Sequence, residues 1–87
     1  MNILTRLKIM RLLSRVIKLQ EKAPEGIYYN LEYSGSTNEV DFIKFRKVNG
    51  TYVGAKRLYC YIGRDYGATL KELAEQITEE EEKLKNA

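Results

Sequence analysis

Histidine is absent from this chain, and with it go the usual general base, the commonest metal ligand and the side chain that titrates near neutrality. A single cysteine, Cys60, can form neither a zinc site nor an internal disulfide. The acids do not follow the spacing of a calcium loop, and no glycine-rich phosphate cradle precedes a helix. No stretch approaches the roughly 20 consecutive apolar residues of a membrane-spanning helix. The N-terminal segment lacks the continuous apolar run of a secretory signal, because Arg or Lys interrupts it every few residues. Residues 1–20 hold Arg and Lys but no acid, as an organelle transit peptide does, yet a structural helix accounts for them better. These absences predict a non-catalytic chain with no cofactor and no metal, folded in a reducing cytoplasm.

Eighty-seven residues make one domain, expected to span 1–87. Hydrophobic residues at 44% are too many for a disordered chain. Charge is unevenly distributed. Residues 1–22 carry six cations and one acid, and residues 68–87 carry three cations and six acids. A basic head and an acidic tail can attract one another within the fold. Tyrosine dominates the aromatics, seven against two phenylalanines and no tryptophan. Its broad ring and polar tip suit half-buried sheets and binding faces alike.

Residues 2–22 read as a helix that Pro24 and Gly26 terminate. Lys8, Arg11, Arg15 and Lys18 gather on one stripe, and Ile3, Leu7, Met10, Leu13 and Ile17 line another. The apolar arc is wider than one sheet needs, so the helix should also touch the C-terminal helix, a second copy or a partner. Three strands follow at 27–33, 39–48 and 51–62, with Asn49-Gly50 as a hairpin turn and Gly54 at a bulge. Thr69 and Glu72 form a capping box that opens a helix over 69–85, and Glu79–Glu82 reads as a solvated run. The order predicts an α+β fold, α-β-β-β-α, with a three-stranded antiparallel meander and both helices on one sheet face.

Alternation along the strands predicts a core face of Ile27, Tyr29, Leu31, Tyr33, Ile43, Phe45, Leu58, Cys60 and Ile62. Tyr28, Asn30, Glu32, Phe42, Lys44, Arg46, Arg57, Tyr59 and Tyr61 then fall on the opposite face. Mixing aromatics with cations, that face offers Tyr28, Phe42, Lys44, Arg46, Arg57, Tyr59 and Tyr61 as a partner-binding set. Lys44, Arg46, Lys47, Lys56 and Arg57 are the set that would neutralise phosphates if the partner is DNA or RNA. Strand 2 is apolar on both sides, so a slip of one residue would exchange its faces. Cys60, between two tyrosines in mid-strand, reads as a buried, inert thiol.

The element order resembles the double-stranded RNA-binding domain, although the stretch Thr69–Glu75 is mixed and then acidic where that family carries lysines. Residues 27–84, with basic residues around Asn49-Gly50, also resemble the arm-binding domain of phage integrases. Tyr33-Ser34-Gly35 followed by Val40-Asp41-Phe42-Ile43, behind a short N-terminal helix, resembles small proteins encoded by phages of Gram-positive bacteria. This last resemblance covers residues 2–62. It implies a stoichiometric inhibitor of a host protein or nucleoprotein, anti-CRISPR proteins being one such class. The alternative expectation is a nucleic-acid-binding accessory protein. The basic N-terminal helix could also rest on an anionic membrane, the least favoured partner, or pair with a second copy to form a homodimer.

Overall fold

The computed structural model describes residues 1–86; Ala87 lies outside them. Its elements are α1 (Ile3–Lys22), β1 (Ile27–Ser34), β2 (Glu39–Val48), β3 (Thr51–Tyr61) and α2 (Leu70–Lys85), with the strands antiparallel in the order β1-β2-β3. The α+β arrangement is the expected one, and each boundary lies within one residue of its expected position.

Local chemistry sets the boundaries. Asn2 Oδ1 accepts the Thr5 N–H at 2.8 Å to open α1, and the Thr69 hydroxyl accepts the Glu72 N–H at 3.1 Å to open α2. Asn49 and Gly50, at φ 51° and 80°, make the left-handed two-residue turn that joins Val48 to Thr51. The Gln20 side chain donates to the Ile27 carbonyl at 3.2 Å and accepts from the Tyr29 N–H at 2.7 Å. The amide thereby occupies part of the free edge of β1, where an unpaired strand would invite another chain.

Both helices cover one face of the sheet. Leu12, Val16 and Leu19 from α1 and Leu73 and Ile77 from α2 pack with Tyr29, Val40, Phe42 and Cys60. Strand 2 departs from its expected orientation. Tyr29 pairs with Lys44, Leu31 with Phe42, and Phe42 with Leu58, so Phe42 and Lys44 lie beneath the helices. Phe42 is completely buried and stacks on Tyr29 with ring centroids 6.1 Å apart. Arg46 shares their parity and also leaves the open face, whereas Ile43 and Phe45 join it.

Two irregularities cause the exchange. Ser34 belongs to β1 and pairs with Glu39, leaving a four-residue loop instead of five. On the other side a bulge follows Gly54: Phe45 pairs with Gly54, but Lys44 pairs with Lys56. Each shifts the register by one residue, and they act on β2 from both neighbours.

An ion-pair network lies under α2. Lys44 Nζ sits 2.7 Å from Glu80 Oε1, Lys83 Nζ is 3.1 Å from Oε2, and the Tyr29 hydroxyl donates to Oε1 at 3.1 Å. Gln76 Nε2 adds a donor at 3.4 Å. Glu80 is only 1% exposed, so the acidic run is not simply solvated: this member faces the core. Burial works to raise the Glu80 pKa, but Lys44, Lys83 and Tyr29 outweigh it and hold the carboxyl below its ordinary range. Burial, followed by the Glu80 charge and hydrogen bond, pushes the Tyr29 phenol up. Glu81, next in the run, accepts from Arg15 Nη2 at 2.6 Å and from Nε at 3.3 Å, clamping α1 to α2. The basic head and acidic tail meet within the fold.

Candidate binding surfaces

With β2 turned over, the open face of the sheet has two different ends. At one end Tyr28 meets Tyr52 edge-on at 4.8 Å, Phe45 lies beside them, and Lys47 Nζ stands 5.7 Å above the Tyr52 ring. In the middle Asn30, Ile43 and Arg57 share a row. The Arg57 guanidinium lies over Gly54, where an added Cβ would come within 2.6 Å of it, and reaches 6.0 Å from the Phe45 ring.

The other end is acidic. Glu32, Asp41 and Tyr59 share a row, and Glu39 and Tyr61 share the next. Asp41 Oδ1 is buried without a hydrogen-bond partner among the described residues. Burial first, then the Glu39 hydrogen bond and the Glu39 and Glu32 charges, pushes the Asp41 carboxyl up to about 7. Beyond β3 the chain doubles back: the Ala68 N–H donates to the Tyr59 carbonyl at 2.8 Å, and Tyr66 packs on Tyr61 at 5.1 Å. Tyr28, Arg57, Tyr59 and Tyr61 therefore lie on the open face as expected, while Phe42, Lys44 and Arg46 do not. Phe45, Tyr52, Lys47 and Tyr66 complete this surface, and reading the register correctly would have found the first three.

The five cations of the nucleic-acid set are also divided. Lys44 is held in the buried ion pair. Lys47 and Arg57 lie on the open face, and Arg46 and Lys56 lie on the helix side. The four outside the core nevertheless share one structural unit. Every residue from 46 to 57 is exposed; this β2–β3 hairpin arm is two-stranded only beyond Arg46, which pairs with Ile27, while Lys56 and Arg57 lie in rows that β1 continues through Lys44–Tyr29 and Ile43–Asn30. No acid occurs in the sequence between Asp41 and Asp65. The nearest carboxylate to the arm's cations is Glu79, whose Oε2 is 4.0 Å from Lys56 Nζ, with both side chains well exposed. Val48, Tyr52 and Val53 are also exposed on the arm. It is a basic ribbon with apolar side chains between its charges.

Cys60 is buried and its thiol pKa is raised, by burial first and then by Asp41 and Glu72, which leaves no reactive nucleophile there. Among the described residues, no group of three or more Cys, Asp or Glu side chains is arranged to hold a metal ion, and no helix is long and apolar enough to cross a membrane. In comparisons with protein-family models, curated proteins and solved structures, the chain matched none.

Proposed function

We propose that this chain is a non-catalytic binding protein that grips nucleic acid, alone or within a nucleoprotein, through the basic β2–β3 arm. The observation that carries the proposal is a hairpin exposed from residue 46 to residue 57 that bears Arg46, Lys47, Lys56 and Arg57 without a single acid of its own. The two-stranded tip beyond Arg46, which carries Lys47 and Tyr52, is narrow enough for the major groove of B-form DNA, and Arg46, Lys56 and Arg57 at its three-stranded base are placed to meet the flanking phosphates. Tyr52 supplies a ring for stacking on a base or a sugar.

The signature is salt dependence. If all four cations neutralise phosphates, affinity for duplex DNA falls with a log–log slope of about −3.6, or roughly 100-fold between 50 and 200 mM salt. Fluorescence anisotropy with a labelled 20-base-pair duplex, and with single-stranded RNA, measures it. The double variant Lys47→Ala/Lys56→Ala should roughly halve the slope while the fold survives, because both residues lie outside the core. No binding to either probe at 50 mM salt overturns the proposal.

A second reading, stoichiometric inhibition of a host protein by a phage or mobile-element product, draws on the other end of the open face. Tyr59, Tyr61 and Tyr66 lie there beside Glu32 and Glu39, a mixed aromatic and acidic patch suited to a basic protein surface. Tyr59→Ser/Tyr61→Ser should weaken capture of such a partner while DNA affinity is unchanged. Undiminished capture by the folded variant rules this patch out.

A further inference from the structure

We infer that the corner formed by Tyr28, Phe45 and Tyr52 on the open face takes an unpaired base, so that the arm's preferred nucleic acid is a single strand. The inference rests on the nucleic-acid reading of the arm and specifies the form of nucleic acid it takes. The two tyrosine rings stand at 89° to one another with centroids 4.8 Å apart, yet they remain 41% and 48% exposed. Phe45, paired with Tyr28 across the strands, supplies the third wall of an open hollow of about 370 Å³ lined by these three rings. Perpendicular walls suit a flat heterocycle. Laid against the ring whose edge meets its neighbour, a base turns its own edge to that neighbour's face, and both contacts are favoured aromatic arrangements. A single strand has base faces to offer, whereas the bases of a duplex are already stacked on one another.

Charge selects a nucleotide over other flat or apolar occupants. Lys47 Nζ stands 5.7 Å from the centre of the Tyr52 ring and the Arg57 guanidinium 6.0 Å from that of Phe45, so cations stand beside two of the three walls. Gly54 admits the second of them: it pairs with Phe45, and an added Cβ there would come within 2.6 Å of the guanidinium. The Tyr28 phenol is pushed up chiefly by Tyr52, while Lys47 pulls it down more strongly than Glu25 pushes it up, so the cation outweighs the acid at this corner. A quaternary ammonium in the corner would meet two like charges. An apolar side chain would leave both cations without an anion, whereas a nucleotide brings ring and phosphate together. The opposite end of the same face does not extend the site. Tyr59 and Tyr61 share rows with Asp41, Glu32 and Glu39, which repel phosphates, and this confines the footprint to the tip end of the sheet.

Fluorescence anisotropy of the full chain with three probes of equal length separates these contributions: oligothymidylate, the same strand made abasic throughout, and a duplex. Oligothymidylate should bind at least about fivefold tighter than the abasic strand, which keeps the phosphates but has no ring to stack. Its affinity should fall with a log–log salt slope of about −1.4, the value for Lys47 and Arg57 on a single strand, and at 200 mM salt it should exceed that of the duplex. Tyr52→Ala should weaken oligothymidylate binding about 5- to 150-fold and leave the abasic strand and the salt slope unchanged. Its far-ultraviolet circular dichroism should stay that of the wild type, since Tyr52 lies outside the core. Tyr52→Phe keeps the ring and should bind as the wild type does. Equal affinity for the strand with and without bases overturns the inference while leaving the grip on phosphates standing. A preference for duplex at 200 mM salt, or a folded Tyr52→Ala that binds oligothymidylate undiminished, overturns it in the same way. A neutral tryptophan peptide that displaces oligothymidylate at lower concentration than thymidylate does assigns the corner to a protein side chain and also overturns it. Absence of binding to all three probes at 50 mM salt removes the nucleic-acid reading of the arm as well, so the two failures are distinct.

Discussion

Lys44 is the residue whose assigned role changes most between sequence and structure, and its replacement measures the change. Lys44→Met keeps the length of the aliphatic stem but removes the ammonium 2.7 Å from Glu80. Glu80 is 1% exposed, so its carboxylate cannot recover the lost partner from water. Breaking a buried pair from one side costs about 3–5 kcal/mol. Lys83, Tyr29 and Gln76 still face the carboxylate at 3.1, 3.1 and 3.4 Å, which brings the expected loss below that range, to about 2–3 kcal/mol. A domain of this size has on the order of 4–13 kcal/mol of stability, so the thermal midpoint should fall by roughly 10–20 °C. Urea denaturation followed by circular dichroism gives the free energy directly. Lys44→Met/Glu80→Leu removes both charges and should be more stable than Lys44→Met alone, because the stranded carboxylate, rather than the missing attraction, is the main cost. A Lys44→Met loss below about 0.5 kcal/mol, or a double variant as unstable as the sum of the two singles, refutes the reasoning. Lys44→Met should also bind nucleic acid with the wild-type salt slope, which separates Lys44 from the four cations of the arm.

The two perturbed carboxyls predict opposite pH limbs. The folded Asp41 pKa of about 7 lies above its ordinary 3.8, so the folded state retains a proton the unfolded chain releases, and stability falls as pH rises from about 4 to about 7. The folded Glu80 pKa lies below its ordinary 4.5, so its contribution is present above that value and is lost as pH falls through the folded pKa. Stability should therefore peak in mild acid, and Asp41→Asn should flatten the limb above the peak. Parallel urea-midpoint curves for Asp41→Asn and wild type between pH 5 and 8 would falsify the assignment. Cys60, buried in the sheet with a raised pKa, should react with a thiol reagent only as fast as the domain opens. Labelling at the rate of a free thiol in native buffer contradicts its position.

Element order, helix ends and the exposed apolar stripe of α1 were legible because each follows from a local signal. Thr69 caps, Pro24 and Gly26 stop, and Asn49-Gly50 turns. The binding face was not legible, because it depends on how β2 registers with its neighbours, and β2 has an apolar choice on either side. Val40 and Phe42 compete with Ile43 and Phe45 for the core, so hydrophobicity alone does not decide between them. The register is decided at two points elsewhere in the chain. One is whether Ser34 extends β1; the other is whether Gly54 admits one extra residue. Composition indicates a bulge near Gly54, but not that the extra residue reverses every pairing from Lys44 back to Glu39. Lys44 needed a further fact, since the buried partner that allows a cation beneath two helices lies 36 residues away, within a run of four acids that reads as solvated. The basic arm survives this reversal. Charges on a ribbon exposed on both faces remain accessible whichever way β2 is turned, so the nucleic-acid reading depends less on register than the open-face reading does. Asp41 marks the opposite case: the register that buries Phe42 sets its carboxyl between Glu32 and Glu39 and changes an expected aromatic–basic face into one with an acidic end.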